Sequence, residues 1–241
     1  GNNLTPDSVA AAIQLNLATG PVYFMEIAKI RAMRLLFAQF VKSWGVNDEN
    51  KLKTYIHSAT SEWTQTVYDP YTNILRATTQ SMAAVLGGTD SLTVTPFDHS
   101  FRKTTAISER IARNIQIILK EEAYFDKVKD PSSGAYYIES ITDSLVKHAW
   151  DLFLQIEDAG GYLKAFKSGS IQKLIKETAA ARDMNIAFRK EIFVGINKYQ
   201  DLREKFPGDF DAAIAFPKED PAENFIAEAL IKYRGASAFE E

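Results

Sequence analysis

The chain of 241 residues is 46% hydrophobic and 24% charged with a formal net charge of −3, which is the composition of a globular protein with a sizeable core. This charge balance gives no electrostatic footprint for nucleic acid, and no apolar run of about 18 residues marks a membrane span. The absence of cysteine excludes disulfides, thiolate catalysis and cysteine-based zinc sites, and it agrees with the cytoplasmic location that we expect.

The first residues, 1–7, are polar and carry no secretory pattern, and the chain does not begin with Met, so we expect a segment of a longer protein. Helical periodicity then recurs along the chain. Thr5 with Pro6 and, later, Asp69 give helix-start signals. The predicted helices cover about residues 5–20, 21–45, 69–87, 100–121, 142–160, 171–190 and 221–233.

Short apolar, β-leaning stretches separate several of these helices. This alternation is typical of parallel β/α units. About four units are present, whereas a closed barrel needs eight, so we predict an α/β fold that is a partial TIM-type (β/α)8 barrel, helix-rich, with parallel strands. From Gln200 the chain reads as a linker. The predicted strand-like stretches are 52–60, 89–97, 125–140 and 191–199.

Three histidines are candidates for chemistry. His57 lies near the end of a predicted strand, where barrel enzymes keep their active sites; it is either a ligand-facing residue or a satisfied core histidine. His99 also follows a strand but has no metal-ligand spacing with another histidine. His148 lies on a helix and suggests packing or surface exposure, so no metal site is predicted.

Arg31 and Arg34 project from an otherwise apolar helix. They either contact phosphate, which a guanidinium recognises bidentately, or they snorkel to solvent or form a salt bridge with Glu26 or Asp48. The pair Gly87-Gly88 is by pattern a helix C-cap. No Walker loop, GxGxxG or GxSxG motif is present. These patterns alone therefore predict an α/β domain but no function for it.

Three long stretches resemble the barrel domain of the methylmalonyl-CoA mutase family: "FMEIAKIRAMRLLFAQF", "DPYTNILRATTQSMAAVLGGTDSL" and "SERIARNIQIILKEEAYFDKVKDPSSGAYYIESIT". The likeness extends over about Pro21 to Tyr199. It implies a barrel that threads the CoA chain of the substrate, together with a separate cobalamin-binding domain. In this family the adenosyl radical of adenosylcobalamin drives the interconversion of methylmalonyl-CoA and succinyl-CoA.

The chain departs from the family pattern at strand ends. Where catalytic members read Arg-x-His-x-Gln-Thr-Ser-Gly-Trp, this sequence has Tyr55, Ala59 and Glu62 in place of arginine, glutamine and glycine. After the double glycine, glutamine, histidine and asparagine are replaced as well. The family's Asp-Glu-Ala becomes Asp98-His99-Ser100. In this chain Asp90, Thr93 and Thr95 stand in place of that glutamine, histidine and asparagine.

Substitutions are thus concentrated where a barrel carries its function. The resemblance therefore implies a small, non-catalytic subunit whose partner is the catalytic large subunit of a heterodimer. Acyl-CoA and adenosylcobalamin would belong to the holoenzyme, the cofactor not being bound by this chain. Residues 1–200 would form the C-terminal half of the barrel domain, and 201–241 the linker toward a cobalamin-binding-like domain.

Two alternatives remain: an active mutase fragment with an altered acyl-CoA preference, and a free-standing α/β interaction module. Matching positions of the family assign no catalytic residue to this chain. They suggest substrate contacts at Arg31, Arg34 and His57, and cofactor contacts at Gly87, Gly88 and Asp98.

Overall fold

The computed structural model describes residues 4–216 and 228–240. It is a mixed α/β structure with one three-stranded parallel sheet, which confirms the predicted fold class. The chain divides into two compact units. The first comprises Gly1–Ser61, Ala77–Thr95 and Ala112–Asp151; the second comprises Glu62–Arg76, Pro96–Ile111 and Leu152–Glu241.

The sheet lies in the first unit and has the order β1-β2-β3. In its register Asn16 is opposite His57, and His57 is opposite Ser91. The regular elements of the described chain are α1 (Pro6–Ala12), β1 (Gln14–Thr19), α2 (Tyr23–Ser43), β2 (Tyr55–Thr60), α3 (Thr72–Leu86), β3 (Ser91–Thr93), α4 (Ala106–Glu121), α5 (Tyr136–Asp158), α6 (Tyr162–Lys167), α7 (Ser170–Ala187), α8 (Ala212–Ala215) and α9 (Ser237–Glu240).

The first helix begins as predicted but is much shorter. Thr5 and Ser8 form a reciprocal capping box, in which Thr5 Oγ1 accepts from the Ser8 amide at 3.2 Å, and Ile13 ends α1 in an extended conformation. The prediction of one helix over 5–20 is wrong, because residues 14–19 form β1. In "QLNLAT" the apolar residues alternate with polar ones, which is the period of a half-buried strand.

One face of the sheet packs on helices. Ile30 of α2 and Ala84 of α3 are fully buried against Ile56 of β2, together with partly buried Leu15 and Leu17 of β1. The apolar side chains of the strands and the inward stripes of the two helices therefore meet in one core, as parallel β/α units require.

Two predicted strand-like stretches are helix or turn. Within 125–140 the chain makes a 3₁₀ turn at Phe125–Lys127 and then begins α5 at Tyr136. The stretch 191–199 forms a turn in which the Asn197 side chain accepts from the Phe193 amide at 2.8 Å and donates to Ile186 O at 3.0 Å. Because the Asn197 side chain supplies the hydrogen-bond partners that a sheet would otherwise give, residues 191–199 form no strand in the described structure.

The second unit has its own apolar clusters. Ile186, Phe193, Ile196 and Ala236 are buried together beside Trp63. α4 begins at Ala106 rather than near Ser100, after a Thr105–Ser108 capping pair. Of the helix predicted over 221–233, residues 221–227 lie outside the described part, and residues 228–233 have no regular secondary structure.

Candidate functional site

The face of the sheet opposite the helices is polar, and we call it the open face. Along β2, Ile56, Ser58 and Thr60 are buried, whereas Tyr55 and His57 are more accessible, as the two-residue period of a strand dictates. Tyr55 is 50% exposed. The open face is formed by Gln14, Asn16, Ala18, Tyr55, His57, Ala59, Ser91 and Thr93.

His57 lies in the middle of β2, not at its end as predicted. Its Nδ1 is 2.7 Å from the Ser91 hydroxyl, and its Nε2 is 3.3 Å from the Thr93 hydroxyl. Both ring nitrogens are therefore engaged by β3, which fixes the imidazole on the open face. A substrate contact at His57 stays a prediction.

Arg34 holds the amino ends of two strands. Its guanidinium donates to Thr54 O at 2.9 Å, to Gly88 O and to Asp90 Oδ2 at 2.8 Å. The same carboxylate oxygen accepts from the Ile56 amide at 2.8 Å, so the Arg34–Asp90 pair sets β2 against β3. Arg34 therefore forms a salt bridge, as one of the alternatives predicts, but its partner is Asp90 rather than Glu26 or Asp48.

Arg31 is also paired within the first unit. It donates to Asp130, and to Glu139 Oε1 at 2.7 Å. The amide of Gly134 and then Arg31 hold the pKa of the Glu139 carboxyl below its usual range. Glu26 instead pairs with Lys29. A phosphate that reached Arg31 would compete with two carboxylates, and the phosphate contact stays a prediction for both arginines.

The double glycine ends α3 ahead of β3. Gly88 has a φ of 84°, the left-handed conformation typical of a helix C-cap. A Cβ at Gly87 would lie 3.1 Å from Ile30 Cβ, so this residue packs against α2. Both glycines lie at the amino end of β3, while its carboxyl end is Thr93.

We predict that Gly88→Ala lowers the free energy of unfolding by about 1 kcal/mol, because alanine is strained at positive φ although nothing lies within 4 Å of the added methyl. Gly88→Asn is the control and should lose less, since asparagine tolerates this conformation better. Urea denaturation of the three proteins measures the difference. An alanine variant as stable as the parent would show that the turn can relax.

Asp98 belongs to the second unit. Its side chain is 0% exposed, and Oδ2 accepts from Arg102 Nε at 3.0 Å. With Asp98 buried in an ion pair and Gly87 packed on Ile30, neither residue presents a surface to a corrin ring. The assignment of Gly87, Gly88 and Asp98 to the cofactor stays a prediction from the sequence.

No group of three or more histidine or acidic side chains is arranged to hold a metal ion in residues 4–216 and 228–240. Over the same ranges, no helix has the length and apolar content to cross a membrane.

Comparison with known proteins decides the family. Residues 1–217 match the family model described as methylmalonyl-CoA mutase. The chain belongs to the methylmalonyl-CoA mutase family. Among mutases of this family, it is 45% identical to the methylmalonyl-CoA mutase small subunit of Porphyromonas gingivalis over 98% of its length.

Two other relatives are less similar. The chain is 40% identical to the methylmalonyl-CoA mutase large subunit of the same organism over 89% of its length, and 40% identical to the methylmalonyl-CoA mutase of Escherichia coli over 80%. It spans 38% of the small subunit, 28% of the large subunit and 27% of the Escherichia coli mutase. The chain therefore corresponds to a segment of these mutases.

Proposed function

We propose that this chain is part of the small subunit of an adenosylcobalamin-dependent methylmalonyl-CoA mutase and acts there as the structural partner of the catalytic chain. The holoenzyme would be an isomerase that interconverts methylmalonyl-CoA and succinyl-CoA, in the cytoplasm. Adenosylcobalamin would supply the radical chemistry to the holoenzyme, held by the partner. The single observation that carries this proposal is the 45% identity to a small subunit over 98% of the chain.

The chemistry of the open face supports a non-catalytic role. None of its described side chains carries a permanent charge, and Tyr55 occupies the position of an arginine in the family's catalytic pattern. A carboxylate-bearing acyl group would have no fixed cation to pair with there, and burying an unpaired carboxylate is costly. The face therefore suits contact with protein or neutral groups better than binding of the acyl carboxylate.

The test uses the natural full-length protein that contains this chain and the large mutase subunit of the same organism. We expect tight association of the two subunits in isothermal titration and size-exclusion chromatography. We also expect no binding of cobalamin or methylmalonyl-CoA by the small subunit alone. Binding of either ligand to the isolated subunit would favour the active-fragment alternative, and failure to associate with the large subunit would contradict the scaffold role.

A further inference from the structure

The second unit contains a cleft of about 660 Å³, a size typical of small-molecule sites. Its walls are formed by the loop that precedes α4, by α8 and by residues 231–234. The side chains that line it include Ser100, Lys103, Ile214, Ile231 and Tyr233.

Most charged groups around the cleft are already paired. Arg102 is bound to Asp98 at 3.0 Å and to Asp209, and Lys232 lies 2.8 Å from Glu62. Lys103 differs, because it is exposed and forms no ion pair with any residue in the described ranges. Among the described cations that line the cleft, Lys103 is therefore the one left for a ligand.

A second observation concerns Ser100, which lines the same cleft. Ser100 is only 4% exposed, and its hydroxyl finds no hydrogen-bond partner in the described part of the chain. Buried polar side chains are nearly always hydrogen-bonded, so an orphaned one calls for a partner. Ser100 lies three residues before Lys103 and lines the same cleft, and its hydroxyl is closed to solvent in this structure. An anion that reached both side chains would have a hydroxyl and an ammonium group as donors.

The remaining wall is apolar. Ile214 and Ile231 line it together with the ring of Tyr233, whose hydroxyl donates to Asp183 at 3.1 Å. Burial, and then the hydrogen bond to Asp183, raise the pKa of Tyr233 to about 12. The phenol therefore stays neutral at physiological pH, and its ring offers a flat surface for an apolar or aromatic group.

We propose that this cleft binds a small organic anion, with its phosphate or carboxylate at Lys103 and Ser100 and its apolar body against Ile214, Ile231 and Tyr233. Such a site lies beyond the scaffold role, since it requires neither the partner subunit nor a corrin.

Phenyl phosphate is a suitable probe, because it joins an aromatic body to an anion. We expect its titration into the full chain to shift amide NMR signals of residues 99–104, 211–215 and 231–234. Lys103→Ala should weaken binding about tenfold, the usual value of one hydrogen bond to a charged group, and Lys103→Arg should retain most of it. The matched control is Lys147→Ala on α5, which should leave the affinity unchanged.

Two further ligands separate the contributions. Phenol lacks the anion and inorganic phosphate lacks the apolar body, so both should bind much more weakly than phenyl phosphate. Equal affinity for either one would overturn the proposal, as would signal shifts elsewhere or an unchanged affinity in Lys103→Ala. Subunit association is measured independently, so failure of this proposal leaves the scaffold role intact.

Discussion

Arg234→Met should lower the free energy of unfolding by about 3–5 kcal/mol, the usual cost of removing one partner from a buried ion pair. Arg234 and Glu240 lie 2.6 Å apart with side chains only 7% and 0% exposed. The arginine also donates to Gln65 O at 3.0 Å, and Glu240 accepts from the Val67 amide at 2.7 Å. The variant would leave Glu240 charged and buried without its cation, and urea denaturation followed by circular dichroism measures the loss.

The matched control is Arg203→Met, which breaks the exposed pair with Asp201 and should leave the unfolding midpoint unchanged, since exposed pairs contribute little. The double variant Arg234→Met/Glu240→Leu should recover part of the loss, because it removes the stranded carboxylate. Equal midpoints for Arg234→Met and Arg203→Met would contradict the assigned role of the buried pair.

Gly235→Ala should cost about 1–3 kcal/mol through overpacking. A Cβ at this position would lie 2.9 Å from Phe193 Cζ and 2.9 Å from Trp63 Cε2. Neither ring is free to move away, because Arg182 stacks on Trp63 at 4.3 Å and Phe193 belongs to a buried cluster. Thermal and urea unfolding of the variant, with tryptophan fluorescence as the probe, test this expectation.

Gly208→Ala serves as its control. No heavy atom lies within 4 Å of a Cβ at Gly208, and its φ is outside the left-handed region, so alanine should be tolerated or slightly stabilising there. If Gly235→Ala proved as stable as Gly208→Ala, the Trp63 ring would have to shift without cost, and the tight packing inferred at this position would be wrong.

The sequence predicts local features of this fold better than non-local ones. The Thr5 cap is confirmed, because capping depends on residues three positions apart. The sequence predicts a single helix across α1 and β1 because no glycine or proline lies near Ile13, where α1 ends. In 191–199 the apolar, β-branched composition indicates a strand, but Gly195 at a φ of 84° and the bonds of Asn197 make a turn instead. Those hydrogen bonds depend on the single side chain of Asn197, and the hydrophobic periodicity of the sequence does not predict them.

The candidate site shows the same limit. Helical periodicity identifies Arg34 as an unusual cation, but its partner Asp90 lies 56 residues further along the chain. Arg31 likewise finds Glu139 108 residues away. Pairings of this range depend on the register of β2 and β3 and on where α5 begins, which local patterns do not encode. The family resemblance predicts the class of protein, whereas the ion-pair partners of Arg31 and Arg34 are seen only in the structure.

The parallel sheet also has a consequence for how fast the chain folds. His57 meets Ser91 across 34 residues of sequence, and β1 reaches β2 only after the 21 residues of α2 and its flanking loops. Each pairing must pay loop-closure entropy before its hydrogen bonds form. Within the sheet, the sequence separation of contacting residues is therefore set by the crossovers. We expect helical signal to appear in an early kinetic phase and burial of Ile56 to follow in a slower one.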